Sequence, residues 1–535
     1  MRLAANLSGR AHDQMRPILA ERADRIILVS ILIIAAMLRG QYLFQPLVDA
    51  FSWREASTAM IADNFYRTSW NIFYPEVSWT GPGPSYQGRE FQIYTYIVAI
   101  LNAIFGWHDW FGRLVATGFG LVTVFSLHRL AALVWNERHA HVVALIYAAM
   151  PAAIMIDSSF LPDPAMLAFV TLGIWLFLKY WAGGAAWLLP VAALAFTLGA
   201  LTKLPGLAAG AVVAYLVVIG VGKGQKRQRI PVILAMALGG ATVFSYYSWA
   251  IFLGESYPPY HVAGSGYIWE SGFEKFWKNA FFARDLWETA YYWFYGLPLI
   301  VLFVVGLWVP PPLPGPEHGK SSTLIWVPHI WLGSGLLVYL VAAREVSNNP
   351  WNLHVLSVPI AFFCARGALF LVSLGKYTYT SLATLSRAVF VVVATVLWSI
   401  SPAMESMKRP YAAAAQEMGQ RLATLVAPGD LVVAISPSVG DPIAIYYSRQ
   451  RGWVFPPGGG EKMWSVFVDD DETAIAQLEE LRALGAGWFA VAKNARDFKR
   501  RYFIEHHAGV LAYLDETATL VEDTDTYLIY RMKAD

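Results

Sequence analysis

Charged side chains at the ends of long apolar runs are the residues of this chain best suited to chemistry. Asp163 opens one such run, Lys203 closes the next, and Asp49 follows the first. A charge at membrane depth costs several kcal/mol unless it is paired or faces water. A carboxylate can take a proton from a hydroxyl, and an ammonium can neutralise a phosphate. We therefore predict that these three groups converge at one membrane face and form an active site.

The composition places these residues in a membrane protein. The chain has 535 residues, of which 56% are hydrophobic and 15% aromatic, and its mean hydropathy is +0.44. A soluble protein of this length is far less apolar. The formal net charge of +2 gives no indication of nucleic-acid binding. The single cysteine, Cys364, lies in an apolar run and excludes an intrachain disulfide.

Apolar runs predict about eleven membrane-spanning helices, because one span needs roughly 20 mostly apolar residues. Positively charged residues mark the side that we assign to the cytoplasm, from the arginines before Ile26 to the cluster 223–229. The segment 91–106 is apolar but short, and counting it as a span would place that cluster outside. We therefore predict an interfacial or re-entrant helix there. The predicted spans are 25–46, 113–135, 141–157, 162–182, 186–203, 205–222, 230–253, 291–309, 324–343, 353–373 and 385–403.

A cytoplasmic N-terminus places three segments on the extracytoplasmic face: the loops 47–112 and 254–290, and the region 404–535. The last of these has the charge density of a soluble protein, and strand-like runs alternate in it with a helical stretch. The prediction is a polytopic all-α membrane domain over 1–403, followed by a soluble extracytoplasmic α/β domain over 404–535.

Within the C-terminal region, three short apolar runs predict strands at 431–436, 488–492 and 526–532. The stretch 474–485 has the periodicity of a helix. The acidic residues 469–472 precede this helix, where carboxylates favour the N-terminal end of the helix dipole. We interpret them as a solvated cap and not as a metal site.

The first outer loop suits carbohydrate. Residues 48–99 are rich in Trp, Tyr, Phe, Gly and Pro and have few long charged side chains. Aromatic faces stack on the C–H faces of sugars, while carboxylates bind sugar hydroxyls. An aromatic belt at the lipid interface would have the same composition. Composition alone leaves both alternatives open.

A series of short motifs follows the apolar runs in a fixed order. They are Asp49 with Arg54 after the first span, Arg-Glu-Phe at 89–91, Gly-Arg-Leu at 112–114, Pro-Asp-Pro at 162–164, Thr-Lys at 202–203, and His354 before a proline-containing span. This order and spacing resembles the GT-C superfamily of integral-membrane glycosyltransferases. The similarity is to the branch of the protein O-mannosyltransferases and the lipid A aminoarabinose transferase. It covers roughly residues 25–375 and leaves the C-terminal region outside.

The resemblance implies transfer of a sugar from a polyprenyl-phosphate carrier to an acceptor hydroxyl, with inversion, at the periplasmic face of a bacterial inner membrane. It implies that Asp49 is the general base that takes the proton of the attacking hydroxyl. The leaving phosphate needs positive charge. The implied partners are the lipid-linked sugar, membrane lipids and a lipid, glycan or protein acceptor, and no nucleic acid.

The resemblance also suggests which residues contact the phosphate or the sugar of the donor. Lys203 could instead extend to the lipid interface, and Asp163 could cap a helix that begins at Pro164. Arg344 and His354 flank the sequence SNNPWNL and could be interfacial. The implied donor-binding residues are Arg54, Arg89, Asp163, Lys203, Arg344 and His354.

A divalent metal ion is a further implication, with Glu90 and His261 as possible ligands. Two separated ligands fall short of a closed metal site. The aminoarabinose transferases have Glu-Lys-Pro-Pro where this chain has Glu90, Phe91 and Gln92. The missing lysine puts that phosphate contact in doubt, and Arg89 could replace it.

A transporter or flippase for a lipid-linked precursor is the competing hypothesis. Such a protein would also carry ionisable groups in its spans and would bind phosphate. It predicts internal repeats and helices broken at mid-membrane. Here the charges gather toward one face and the sequence shows no repeat. A scaffold without catalysis would give no reason for the charged motifs.

Overall fold

The structure, a computed structural model, describes most of the chain. It covers residues 2–219, 228–263, 294–310, 323–342, 349–373, 407–458 and 466–532, with a few isolated residues between these ranges. Arg344, which the sequence predicts to bind phosphate, lies outside the described residues. Most of the predicted loop 254–290 and of the predicted last span 385–403 also lies outside them.

Helices dominate the first 373 residues. They are α1 (Arg2–Gly40), α2 (Ser52–Arg67), α3 (Ile93–Phe105), α4 (Phe111–Val134), α5 (Glu137–Ala149), α6 (Pro151–Asp157), α7 (Asp163–Trp181), α8 (Leu188–Thr202), α9 (Gly210–Val218), α10 (Arg229–Ser256), α11 (Gly296–Trp308), α12 (Val327–Val341) and α13 (Ser357–Ser373). Short 3-10 helices precede α9, α12 and α13, at Leu204–Ala209, Leu324–Trp326 and Pro350–Leu356.

The described residues contain five stretches that are long and apolar enough to cross a membrane. They are Phe111–Val134, Asp163–Trp181, Arg229–Ser256, Leu324–Val341 and Pro350–Ser373. The helices α5 and α6 add a sixth if the pair, bent by 60°, is one span. The predicted number of about eleven is therefore not confirmed.

Several predicted spans contain helices that are shorter than a full span. The predicted span 205–222 begins within the 3-10 helix Leu204–Ala209, which contains Pro205 and Gly206 and leaves α9 with nine residues. Charged residues border the apolar run of α1 at Asp24, Arg25 and Arg39. The helices α3, α8, α9 and α11 are apolar but short. The 13 residues of α3 have the length expected of the interfacial or re-entrant helix predicted over 91–106.

A five-stranded sheet forms the C-terminal region, in the order β2-β1-β3-β5-β4. Strand β1 pairs in parallel with β2 and β3, whereas β5 pairs antiparallel with β3 and β4. Helices pack on this sheet. The elements are α14 (Ala413–Leu425), β1 (Leu431–Ile435), α15 (Ile443–Ser448), β2 (Arg451–Val454), α16 (Asp471–Ala483), β3 (Ala486–Ala492), α17 (Phe503–His506), α18 (Ala508–Thr517), β4 (Ala518–Asp523) and β5 (Tyr527–Met532).

The predicted C-terminal sheet is confirmed, with β1, β3, β5 and α16 at the predicted positions. Asp470 caps α16 by accepting a 2.7 Å hydrogen bond from the backbone N–H of Thr473. The sequence did not predict β2 or β4. Strand β2 has four residues, too few for an alternating pattern, and β4 is a largely exposed edge strand.

The first outer loop covers the open edge of β2. The N–H of Gly452 donates to the carbonyl of Ser78 (2.9 Å), and the N–H of Gly81 donates to the carbonyl of Gly452 (2.7 Å). The side chain of Arg451 adds a 2.5 Å ion pair to Glu76. Loop and sheet share one hydrophobic cluster. The loop 47–112 and the C-terminal region therefore lie on the same face, while the predicted boundary at residue 404 stays a prediction.

Candidate active site

One group of charged residues surrounds Asp49, and we name it the Asp49 cluster: Asp49, Glu55, Arg113, Ser159 and Lys408. Asp49 precedes α2 and accepts a hydrogen bond on Oδ1 from the backbone N–H of Phe51 (3.0 Å), as in an Asx turn. Its Oδ2 accepts from Arg113 Nη2 (3.2 Å) and Lys408 Nζ (2.9 Å). Lys408 also donates to Ser159 (3.3 Å). Asp49 is therefore held by two cations.

Glu55, in the first turn of α2, is the second carboxylate of this cluster. Its Oε2 accepts from the same Arg113 nitrogen at 3.1 Å, and its Oε1 accepts from the backbone N–H of Phe160 at 2.6 Å. Arg113 also donates to the carbonyl of Ser158 (2.8 Å). One guanidinium thus bridges two buried carboxylates and fixes the turn that precedes α7.

The two carboxylates have opposite pKa shifts. Burial raises the pKa of Asp49, but Lys408 and Arg113 lower it by more, to about 2. Burial outweighs Arg113 at the other acid and raises the pKa of Glu55 to about 7. Asp49 is consequently ionised at neutral pH, whereas Glu55 is partly protonated. Neighbouring acids whose pKa values are pushed apart are a common feature of catalytic centres.

The second group is the Lys203 cluster: Arg54, Glu90, Asp163 and Lys203. Lys203 follows the last residue of α8 and donates to both carboxylate oxygens of Asp163, each at 2.8 Å. Arg54 pairs with Glu90. Lys203 lies close enough to Glu90 and Arg54 for their charges to interact. The structure therefore brings together four of the residues predicted from the sequence.

The alternative structural roles of Lys203 and Asp163 find little support in this geometry. The ammonium of Lys203 is paired with Asp163 and lies 6.0 Å from the centre of the Trp351 ring. Asp163 makes no side-chain capping bond at the start of α7. Both of its oxygens are directed to Lys203.

The predicted metal ligands, Glu90 and His261, both lie near Arg54 and Arg89. Burial raises the pKa of Glu90, but Arg54 and other nearby cations lower it by more. Burial, Arg89 and Arg54 lower the pKa of His261, which is neutral at pH 7 and 3.3 Å from Gln87. In the described part of the chain no three His, Cys, Asp or Glu side chains converge. Glu90 and His261 alone therefore do not complete a metal site among the described residues.

A third group, fully buried, contains His354 and is named the Asp157 cluster: Arg39, Tyr147, Asp157 and His354. Arg39 donates to Asp157 through two nitrogens at 2.8 and 3.1 Å, and Tyr147 donates at 3.1 Å. His354 Nε2 lies 3.0 Å from the other oxygen of Asp157. The structure thus places His354 against Asp157, and also close enough to Asp163 of the Lys203 cluster to interact with it.

The Asp49 and Lys203 clusters are neighbours, because the turn before α7 contributes to both. Ser159 contacts Lys408, the N–H of Phe160 contacts Glu55, and Asp163 holds Lys203. Asp49, the catalytic acid predicted from the sequence, is therefore linked to one end of the turn 158–162 through Lys408 and Arg113, while Lys203 binds Asp163 just after its other end.

Several residues of these clusters were not predicted from the sequence. Arg39 and Arg113 are charges at the edges of apolar runs, and the rule that selected Lys203 would have found them. Glu55 and Lys408 carry no such signal, because both belong to segments of ordinary polarity. The residues missed are Arg39, Glu55, Arg113, Tyr147 and Lys408.

An apolar cavity lies beside the Lys203 cluster. It has a volume of about 360 Å³ and is formed by α7, α8, the 3-10 helix Leu204–Ala209, α9 and α10. Phe177, Phe196, Ala200 and Val243 are among its lining residues. Ala200 is three positions before Lys203, so the cavity runs along α8 toward the charged groups.

Comparisons with known proteins agree with this architecture. Residues 92–249 match the model of a family described as dolichyl-phosphate-mannose-protein mannosyltransferase. The structure is similar to ArnT from Cupriavidus metallidurans bound to undecaprenyl phosphate, with a TM-score of 0.58 and 12% identity over 94% of this chain and 97% of that one. No curated protein sequence matches the chain.

A second solved protein has a similar fold. The oligosaccharyltransferase of Archaeoglobus fulgidus in complex with Zn and sulfate gives a TM-score of 0.55 and 12% identity, over 94% of this chain and 73% of that one. Similarity at this level of identity concerns the fold, and the activity has to be argued from the site.

Proposed function

We propose that this chain, which has the fold of the GT-C membrane glycosyltransferases, transfers a sugar from a polyprenyl-phosphate carrier to an acceptor hydroxyl. The main observation in support is the adjacency of an ionised carboxylate, Asp49, and a cationic group around Lys203, on either side of one turn. Acceptor activation and phosphate stabilisation need these two kinds of charge within reach of one substrate.

The Lys203 cluster supplies the positive charge for the donor. Arg54 and Lys203 each pair with a carboxylate, and Arg89 also acts on Glu90, so a phosphate that enters this region would meet three cationic side chains. Lys203 retains 12% side-chain exposure, the largest in the cluster. The apolar cavity along α8 offers space for part of an isoprenoid tail. A headgroup at Lys203 and a tail in this cavity would fit one amphipathic donor.

In the proposed reaction, the acceptor oxygen forms a bond to the anomeric carbon while the bond from that carbon to the phosphate oxygen breaks, with inversion. Asp49 takes up the proton of the attacking hydroxyl through Oδ1, which bonds only to the Phe51 N–H among the described residues. Because an acid of pKa about 2 is a weak base, the proton then passes to the departing phosphate, whose second pKa is about 6.

A divalent ion that assists the phosphate stays a prediction. Glu90 and His261 would have to hold it together with oxygens of the substrate, since the protein supplies no third ligand among the described residues. The steps above therefore use side chains of this chain alone. The assay that tests the activity also identifies the sugar and the acceptor.

The test is incubation of the purified full chain in lipid with a panel of polyprenyl-phosphate hexoses and pentoses, with acceptor lipids or glycans. Release of free polyprenyl phosphate is measured for the wild type and Asp49→Asn. We expect turnover of one donor and a loss of about 10²–10⁴-fold in the variant. Asp63→Asn is the matched control, because Asp63 is a buried acid at the far end of α2 that pairs with Arg67 and Arg449.

A flippase would give a different result. It would carry the donor across liposome membranes without cleavage, and Asp49→Asn would then change transport and not hydrolysis or transfer. Absence of cleavage with every donor, combined with transport, would contradict the proposed function.

A further inference from the structure

We infer that Lys408, which lies beyond the last predicted span, is a positioning residue that supplies the second cation for Asp49. This inference rests on the proposed function, and it assigns to the C-terminal region a part in the reaction. Asp49 and Lys408 are separated by 359 residues in the sequence.

The side chain of Lys408 is buried in the interior of the protein. Its ammonium lies 2.9 Å from Asp49 Oδ2 and 3.3 Å from Ser159 Oγ, and it is 5.4 Å from the centre of the Tyr42 ring. The side chain is 5% exposed. A lysine that loses its hydration is retained in such a place only if its charge is compensated. Asp49 provides that compensation.

Backbone hydrogen bonds on both sides fix the position of Lys408. The N–H of Ala50 donates to the carbonyl of Met407 at 3.1 Å, and the N–H of Ala412 donates to the carbonyl of Val48 at 3.0 Å. The side-chain amide of Gln45 donates to the carbonyl of Lys408 itself at 2.8 Å. The segment around Lys408 is thus clamped to the segment that carries Asp49.

Charge balance explains why a second cation is needed. Two buried carboxylates, Asp49 and Glu55, share the single guanidinium of Arg113. When both acids are ionised, the four groups are neutral in sum with Lys408, whereas without it one negative charge is uncompensated. Such a charge is relieved by protonation of one of the acids. The titratable and charged groups that face Asp49 or act on its partners are Tyr42, Glu55, Tyr94, Asp109, Arg113, Lys408 and Tyr447.

The expected role is therefore to keep Asp49 deprotonated and in place at the pH of the reaction. A protonated Asp49 could not accept the proton of the acceptor hydroxyl. Lys408 touches neither donor nor acceptor in this proposal and acts through Asp49.

The test is the pH profile of kcat/KM for wild type, Lys408→Met and Lys408→Arg, with release of polyprenyl phosphate as the readout. We expect Lys408→Met to move the acid limb of the profile upward by about 1–3 pH units, because a close opposite charge shifts a carboxyl pKa by that amount. Activity should fall more than tenfold at the low-pH end and recover in part as the pH rises. Lys408→Arg keeps the positive charge and should retain most of the wild-type activity at low pH. Arg409→Met is the control, because the neighbouring Arg409 is exposed and pairs with the exposed Glu405.

A second variant separates charge balance from a merely structural role. In Lys408→Met with Glu55→Gln, Arg113 again faces one carboxylate, and the glutamine oxygen can still accept from Phe160. We expect this double variant to regain the wild-type acid limb. The infrared band of protonated carboxyl groups at pH 8 should be stronger in Lys408→Met than in wild type and in the double variant.

The outcomes are distinguishable. A wild type inactive with every donor would overturn the proposed function. An active wild type whose profile and carboxyl band are unchanged by Lys408→Met would overturn the role of Lys408 alone. A Lys408→Met variant that is inactive or misfolded at every pH, and that Glu55→Gln does not rescue, would also overturn it.

Discussion

The Asp49 and Lys203 clusters differ in how completely they are closed off from solvent. In the Asp49 cluster two acids face two cations, and every member is almost fully buried. In the Lys203 cluster two cations also face two acids, but Lys203 and Glu90 keep 12% and 10% side-chain exposure. A closed cluster holds its charges in place, whereas cations that are partly exposed can be reached by a ligand such as a departing phosphate.

The largest expected effect tests the open side of this comparison. Lys203→Met should lower kcat/KM by about 10²–10³-fold, the cost of removing one stabilising donor from a transition state, and should weaken the binding of polyprenyl phosphate. Turnover and a thermal-shift titration with polyprenyl phosphate measure the two effects. Lys179→Met, at the exposed cytoplasmic end of α7 by the predicted topology, is the control. Unchanged affinity for polyprenyl phosphate would place the donor elsewhere.

The next effect concerns the Asp157 cluster, whose four residues are fully buried. Arg39→Met leaves Asp157 buried without its guanidinium partner, and breaking a buried pair in this way costs about 3–5 kcal/mol. The double variant Arg39→Met with Asp157→Asn removes both charges and should recover much of that loss. Thermal unfolding of the purified proteins measures it, with the exposed Arg25→Met as control. A double variant less stable than the single one would show that Asp157 has a role apart from this pair.

The smallest effect compares Asp49 with a buried acid, Asp441, on which no cation acts among the described residues. Asp441 lies between β1 and α15, and its Oδ1 has no hydrogen-bond partner among the described residues. Burial raises the pKa of Asp441 well above its ordinary value, against a bond from the N–H of Ile443. A raised carboxyl pKa means that stability is full below the unfolded-state value near 4 and is lost as the pH rises.

Asp441→Asn removes the charge and should raise the melting temperature at pH 8 by a few degrees, since about 1 kcal/mol corresponds to roughly 2–4 °C in domains of moderate size. The gain should vanish at pH 4, where the wild-type acid is already neutral. Thermal scans at both pH values measure it, and the exposed Asp525→Asn should show no gain at either. An equal gain at pH 4 would mean that the effect is not electrostatic.

Short-range patterns in the sequence predicted those features of the fold that depend on neighbouring residues. The strands β1, β3 and β5 and the cap at Asp470 follow from short-range signals. The pairing of Asp163 with Lys203 could be anticipated because both are charges at the ends of apolar runs. The lengths of the individual helices could not, because elements such as the 3-10 helix Leu204–Ala209 shorten the α-helices of runs that are apolar throughout.

Long-range contacts could not be predicted from the sequence, for a different reason. No pattern links Lys408 to Asp49 across 359 residues, or Glu55 to the N–H of Phe160, since nothing in either segment specifies its partner. Strand β2 was missed because much of its stability comes from the outer loop that pairs with it. The sequence indicated where charges had to be compensated and not by which residues.

The pairing of the outer loop with the edge of β2 has a consequence for biosynthesis. A nascent chain whose membrane helices are already inserted still lacks Lys408 and the sheet that the loop covers. Until the last quarter of the polypeptide has been synthesised and, in the predicted topology, exported, Asp49 shares one guanidinium with Glu55. Under the proposed function, the chain would remain inactive during its own synthesis, and truncated products would not consume lipid-linked sugars.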